Sequence, residues 1–531
     1  MIRRSARSLW RARVRLAGWA GVVVFLWAVA RFYNAGTGFT SLISIGEKLG
    51  EPVAALRGVP HYVYEGSYGY DGAYYVQLAM HPTVAAPELR AKIDNLPYRA
   101  RRMLLCWVAW AVGLGRPAWI AQAFALLNVA SWLGLAWLLQ RWFPLVSWAN
   151  LIRWAGVLFS HGVCMSVRHS LADTPSLLLV ALAVACLERG RRPGGVAWLA
   201  AAALCKETSL LATTALVQPS ARIGRGWLRV AGQAALAALP LAVWVTYLRW
   251  RVGPTNDAGL GNFSWPLTGL AEKWGTLLAA LPTSPGWFWL LAASLATTLG
   301  ITVQLVFVAV RWRPADIWWR VGASFAVLTL FVAQPVWEGY PGAASRVLLP
   351  MALVFNVLVP RGRRWLPVLL AGNLSVLGGV LELGSAPVEF FRVRGERAAV
   401  AAMIVTPGEG WYPVETDSGH RWRWSQGQGS LRLVNRSTAS LQVRLAGTFV
   451  PATPRQLTLK VRDEQVLGSG PTAGAVKLTA VAFVLPPGES RLEFDSDRPP
   501  VKNLNGDARP LALAVYDLVI SVAPAAPSPP P

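Results

Sequence analysis
Apolar stretches of about 20 residues recur along the first 390 positions, and they constrain this chain more than any other feature. A helix of that length crosses the hydrocarbon core of a bilayer. Such stretches lie at 16–33 and 118–139, and then roughly at 147–167, 171–187, 227–250, 286–310, 316–335, 345–360 and 363–381. The expectation is therefore about nine membrane spans. Composition agrees, because only 15% of residues are charged, against about 25% in soluble domains. An ordinary soluble globule is excluded. Disorder is excluded too, since 27 tryptophans and 17 phenylalanines supply ample surface to bury. The net charge of +24 is not a nucleic-acid footprint. The basic residues lie mostly between apolar runs, where they mark cytoplasmic loops and contact with membrane lipids.

The N-terminal MIRRSARSLWRARVR carries six arginines and no acid. No small-residue cleavage site follows, so 16–33 reads as an uncleaved first span with a cytoplasmic N-terminus. Residues 34–102 form a large extracytoplasmic loop that includes HYVYEGSYGYDGAYYVQLAMHP. The apolar run 103–113 is too short to span and reads as an interfacial or re-entrant helix. ERGRRPGG, RWRPADIWWR and PRGRRW then fall on the cytoplasmic side. The run 194–218 has basic flanks at both ends. Either it is a hairpin broken near Lys206-Glu207-Thr208, which keeps both flanks inside, or it is a plain span with a basic outer loop.

After the last span the character changes. SLRLVN, SLQVRLAG, QLTLKV, AVKLTAVAFVL, SRLEFD and LALAVYDLVIS alternate and are separated by Gly, Pro, Asn and Asp, the pattern of an all-β sandwich. The expected organisation is a mostly α, polytopic transmembrane helical bundle over 1–390, a β-sandwich over 395–523 outside the cytoplasm, and a Pro-rich tail over 524–531. The four cysteines, Cys106, Cys164, Cys186 and Cys205, sit in apolar stretches without metal-ligand spacing and read as small hydrophobic side chains. There is no Walker loop, no His-Glu-x-x-His, no dinucleotide fingerprint and no Cys-x-x-Cys. ATP-driven transport by this chain alone is not indicated.

This topology gathers polar residues at the outer ends of several spans. Asp71 lies in Gly69-Tyr70-Asp71-Gly72-Ala73-Tyr74-Tyr75. It is either a general base for a hydroxyl beside a tyrosine wall (Tyr70, Tyr74) or an Asp-Gly turn among interfacial aromatics. Arg168 and His169 precede a helix, and an arginine there has the fork geometry that suits phosphate. Asp173, before Thr174-Pro175, is either a helix N-cap or a partner for these cations. Lys206 and Glu207 are either an internal ion pair or a lysine that reaches a lipid phosphate with its acid beside it. Arg346, after Gly342-Ala343-Ala344-Ser345, is a second phosphate anchor or a snorkelling side chain.

The outer acid Asp71, the RHSLADTP segment and the Lys206-Glu207-Thr208 break resemble the type C (GT-C) glycosyltransferases, polytopic enzymes that use polyprenyl-phosphate-linked sugars. GYDGAYYVQLAMHP with DNLPYRARRMLL, and WYPVE…RWRW, resemble a bacterial family linked to cell-surface glycopolymer formation. Where many type C members carry an acidic pair, Asp71 stands alone, with Glu65 the nearest acid before it. The resemblance implies a bacterial inner-membrane hexosyl- or pentosyltransferase. Its donor is a polyprenyl-phosphate-linked sugar and its acceptor a glycan or lipid. Asp71 would be the catalytic base. Arg168, Lys206 and Arg346 would bind the donor phosphate, supported by His169, Asp173, Glu207, Tyr70 and Tyr74. No cofactor is assigned, and a divalent metal is left open. Two other readings stand beside this one: a transporter or flippase for a lipid-linked polysaccharide, and an assembly scaffold whose β domain binds glycan.

Overall fold
The structure is a computed structural model. It describes all residues except 1, 35, 65, 219–224, 255–258, 282–287, 339–342, 418, 471, 503–505 and 526–531, and not the side chains of 2–9, 225, 401, 479 and 480. Glu65, Gly342 and most of the Pro-rich tail thus lie outside the described residues. The chain divides into two compact units, Met1–Phe32 with Phe39–Ala386, and Tyr33–Gly38 with Pro387–Pro531. The first is a helical bundle and the second a β-sandwich.

Four helices of the first unit are long and apolar enough to cross a membrane: Trp10–Ala30, Pro117–Arg141, Gly226–Arg251 and Phe288–Val310. This makes the chain a multi-pass membrane protein. The other expected spans fold as shorter or broken helices. The run at 363–381 becomes Arg363–Gly372 and Val376–Gly384, bent by 44°. The bend has a packing cause, since Asn373 exchanges two 2.9 Å hydrogen bonds with Asn356 from inside the bundle. The run at 147–167 becomes Trp148–Leu158 and His161–Arg168, and 171–187 becomes Asp173–Glu188. Ile317–Phe331 and Leu349–Leu358 are shorter apolar helices, of 15 and 10 residues. Leu104–Val112 is the short helix expected over 103–113.

The segment at 194–218 is a hairpin. Its first arm, Arg192–Cys205, ends at Lys206, whose backbone is extended (φ −155°, ψ 120°). The second arm, Glu207–Leu216, is a 3-10 helix of 10 residues, long for that conformation. Thr213 and Thr214 donate to the carbonyls of Leu210 and Leu211 at 2.7 and 2.9 Å, a local bonding that competes with an α-helical ladder. At the turn, Cys205 donates to Ala172 O, just before Asp173. At the far end, Arg320 donates to Thr214 O at 3.2 Å, and nearby Trp318 donates to Glu188, which closes the helix preceding the hairpin. Both arms therefore have their open ends at the same end of the bundle.

The second unit stacks two sheets. One orders Glu464–Gly468, Leu457–Val461, Gly488–Ser496, Gly429–Asn435 and Met403–Pro407, and the other Val476–Leu485, Leu441–Pro451, Leu513–Pro524, His420–Trp424 and Glu415–Asp417. Neighbours are antiparallel, except that Phe391–Gly395 pairs in parallel with Leu513–Pro524. Alternation explains the inner face: Leu457, Leu459 and Val461 are buried opposite Leu492 and Phe494. Trp411 is in this core, 5.4 Å from the Phe494 ring, and its indole donates to Ser430 O. Trp422 and Trp424 are half-buried instead, with Trp422 stacked on Tyr516 at 4.8 Å.

The hairpin has a direct test. In a cysteine-free background, Arg189→Cys and Gln218→Cys should react with an impermeant maleimide from the same side of the membrane. Reaction from opposite sides would mean a single crossing.

Candidate active site
Asp71 opens the helix Asp71–Met80, where a carboxylate meets the favourable end of the helix dipole. Two glycines set its place. Gly69 has φ +71°, which favours glycine, and Tyr70 N then donates to Ser44 O at 2.9 Å. A Cβ on Gly72 would lie 2.2 Å from His169 O and 2.7 Å from Ile43 O, so the helix start rests directly on the Arg168–Asp173 turn. A Cβ on Gly162 would lie 2.5 Å from Ser345 O, which brings the helix Ala343–Val347 and Arg346 against the same place. Close backbone approach thus gathers residues far apart in the chain.

Asp173 lies at the centre. Its carboxylate accepts from Lys206 Nζ through one oxygen and from Arg346 Nη1 at 3.3 Å through the other. Its side chain is 4% exposed, with Lys206 at 9% and Arg346 at 11%. Arg346 also donates to Tyr70 OH at 2.8 Å and lies 5.3 Å from that ring. The N-cap reading of Asp173 is therefore corrected: Ala172 is the cap residue, and Thr174 N donates to Ser166 Oγ. Lys206 and Glu207 are not paired with each other. The extended backbone at Lys206 sends consecutive side chains to opposite sides, and Glu207 receives Arg102 at 2.9 and 2.7 Å. Arg102 also donates to Tyr75 OH and Tyr98 OH.

Asp71 is not a free carboxylate. It pairs with Arg99 at 2.6 Å, and Arg99 also holds Asp94 and lies 4.8 Å from the Tyr74 ring. Burial opposes ionisation of Asp94, but the Arg99 hydrogen bonds prevail and hold its carboxyl below the usual range. Burial pushes the Tyr75 phenol up to about 12 against the pull of Arg102, so it stays a neutral acceptor.

Arg168 is held differently. It donates to Ser41 O at 3.2 Å, Ser44 Oγ at 2.8 Å and Ser385 Oγ at 3.2 Å, and it lies 5.0 Å from each of the Tyr64 and Phe32 rings. Among the described residues no carboxylate pairs with it. His169 bonds Ser44 Oγ through Nδ1 at 2.8 Å, and its ring is 4.7 Å from that of Tyr70. Arg168, His169, Tyr70, Tyr64 and Ser44 line a cavity of about 450 Å³. Tyr70, which accepts from Arg346, meets the His169 ring at a tilt of 36°, and Arg168 makes its hydrogen bonds to Ser41, Ser44 and Ser385 and not to the Asp173 cluster.

Sequence reasoning missed Arg99, Arg102 and Glu382. Glu382 sits between two imidazoles, 3.4 Å from His161 and 3.7 Å from His169. Its signal was available, since an acid inside an apolar run is a functional candidate by default. The arginines lay in DNLPYRARRMLL, each ready to take a first-loop tyrosine. As for a divalent metal, the donor set does not fit. Asp71, Asp173 and Glu207 are committed to arginine or lysine, and among the described residues no three His, Cys, Asp or Glu gather as ligands would.

No family model matches the chain, and no curated protein matches it. Among solved structures, the chain is similar to ArnT from Cupriavidus metallidurans in the apo state, with 16% identity over 66% of this chain and 62% of that one, at a TM-score of 0.35. It is also similar to the arabinosyltransferase EmbB from Mycobacterium smegmatis, with 10% identity over 94% of this chain and 64% of that one, at a TM-score of 0.33. The chain thus spans less than two thirds of the length of either. Likeness this faint bears on neither the reaction nor the residues.

Asp173→Asn should destabilise the protein by about 3–5 kcal/mol, because it leaves two cations buried without their acid. Asp173→Asn with Lys206→Met should recover part of that loss. Thermal unfolding in detergent checks both, and an unchanged melting temperature for Asp173→Asn would show that the cluster carries no such load.

Proposed function
We propose that this protein is a membrane glycosyltransferase. It moves a hexosyl or pentosyl group from a polyprenyl-phosphate donor to a glycan or lipid acceptor on the extracytoplasmic face of a bacterial inner membrane. The observation that carries this reading is the charge arrangement. One buried carboxylate, Asp173, is shared by two buried cations, and a third cation, Arg168, holds only neutral oxygens beside a tyrosine-walled cavity. Glu382 is tied to His161 and His169, so at Arg168 itself a negative charge is missing. An incoming phosphate supplies it and is held by charge-assisted hydrogen bonds.

The reaction needs little else. The bond between the anomeric carbon and the phosphate oxygen breaks, and the electron pair leaves with the phosphate. Arg346, Lys206 and Arg168 stabilise the charge that develops there. The acceptor oxygen bonds to the anomeric carbon, and its proton passes to Asp71. Arg99, paired with Asp71 at 2.6 Å, holds that carboxylate in place. The leaving phosphate is a stable anion and needs no carboxylic acid to protonate it. His169, Tyr70, Tyr74 and Glu207 act as supports that fix the positions of these groups.

Kinetics on purified protein with a defined polyprenyl-phosphate sugar separate the roles. Asp71→Asn should lower kcat by about 10²–10⁴ with little change in donor affinity. Arg168→Ala should weaken donor use by about 1.5–3 kcal/mol. Donor binding without any sugar transfer by the unaltered protein, together with movement of the lipid-linked sugar across vesicles, would instead make it a flippase.

The same reading fixes orientation. Thr438→Cys, exposed in the β unit, should be labelled from outside intact cells, and Ala315→Cys only after permeabilisation. The reverse pattern would put the site on the wrong face for this donor.

A further inference from the structure
The opposite end of the bundle holds a second cavity, of about 470 Å³, between the first helix (Ile2–Ala30), the last turns of Pro117–Leu138 and the loop that follows. We propose that it binds an anionic glycerophospholipid of the cytoplasmic leaflet, with one acyl chain in the crevice and the phosphate at Arg15.

The lining is graded from polar to apolar. On the first helix Arg15, Trp19 and Val22 follow one another along a single face, at the i, i+4, i+7 spacing of helical neighbours. On the second helix Leu133 and Trp137 do the same, and Gln140 follows in the 3-10 turn Leu139–Arg141. The two helices run antiparallel. Phe25 stacks on Trp132 at 3.7 Å, whereas toward the N-terminus a Cβ on Gly18 would lie 2.5 Å from Leu145, and Trp10 meets Trp148 at 6.3 Å. Arg15 and Gln140 are therefore at the same end, and Val22 and Leu133 are together at the other. A guanidinium and an amide stand at the mouth, and hydrocarbon lies deeper. The deep wall offers little to a polar ligand, because the Trp154 indole is already donated to Ala136 O.

Charge selects the headgroup. Among the described residues Arg15 pairs with no acid, and no acid lines the crevice. Arg11 lies one helical turn before it and is exposed as well. A surface cation of this kind attracts anionic headgroups by about 1 kcal/mol. The indoles of Trp19 and Trp137, 67% and 73% exposed, belong at the headgroup level of a bilayer. A soluble anion would leave the apolar wall uncovered, and a neutral lipid would leave Arg15 unanswered. The site is remote from Asp71 and Asp173, and the proposal does not depend on the glycosyltransferase reading.

Native mass spectrometry of the full chain in detergent tests it, with dioleoyl phosphatidylglycerol and dioleoyl phosphatidylcholine as probes. Phosphatidylglycerol should bind about fivefold tighter than phosphatidylcholine. Arg15→Gln should remove that preference and leave phosphatidylcholine binding unchanged. Leu133→Trp, which fills the crevice from a position 38% exposed and keeps the charge, should lower retention of both lipids. Arg313→Gln, at an exposed cation of another loop, should change nothing. The proposal is overturned if Arg15→Gln keeps the preference, if Arg313→Gln loses it equally, or if Leu133→Trp retains both lipids as the unaltered protein does.

Discussion
The first unit depends on one carboxylate shared by two cations. A buried charge costs several kcal/mol unless it is paired and hydrogen-bonded. Asp173 satisfies Lys206 from the tip of a hairpin and Arg346 from a short helix more than 170 residues further on. Around that pair much of the irregular backbone becomes intelligible. The hairpin turns at Lys206 because the lysine must reach Asp173 while Glu207 reaches Arg102. The span near 147–167 breaks at Phe159–Ser160, which lets His161–Arg168 deliver Arg168 and His169 beside Tyr70. Non-helical backbone at membrane depth is tolerated where it is buried in protein or lines a cavity, and here it does both.

The tyrosine-rich first loop finds its explanation in the same network. Arg99, Arg102, Arg168 and Arg346 each lie about 5 Å from a tyrosine ring: Tyr74, Tyr98, Tyr64 and Tyr70. An aromatic face compensates a desolvated guanidinium without neutralising it. Arg99, Arg102 and Arg346 have carboxylate partners as well, whereas Arg168 has only neutral oxygens and aromatic faces among the described residues, and so keeps its charge for an anion.

Much of this was legible in the sequence because it rests on local signals. Run length gave the membrane unit, period-2 alternation gave the sandwich, and basic flanks gave the hairpin. The Gly69-Tyr70-Asp71-Gly72 segment stood out because its glycines permit what larger residues forbid. What escaped depends on contacts between distant segments. That Asp71 would pair with Arg99, or which of its two readings Asp173 would follow, depends on how separated elements pack. That an expected span would fold as two helices escaped for a related reason. Hydropathy reports that a stretch is apolar, but not that Asn373 will bond Asn356 and bend it.

The central claim is that the cavity at Arg168 and Tyr70, beside the Asp173 cluster, takes a phosphate. A cryo-EM structure of the protein with a polyprenyl phosphate, the product left after sugar transfer, tests this most directly. The account predicts phosphate density within hydrogen-bonding distance of Arg346, Lys206 or Arg168, beside Tyr70, with the prenyl chain leading away into the bundle wall. Phosphate bound elsewhere, with the Asp173 cluster unchanged and its cations still facing only protein, would contradict it.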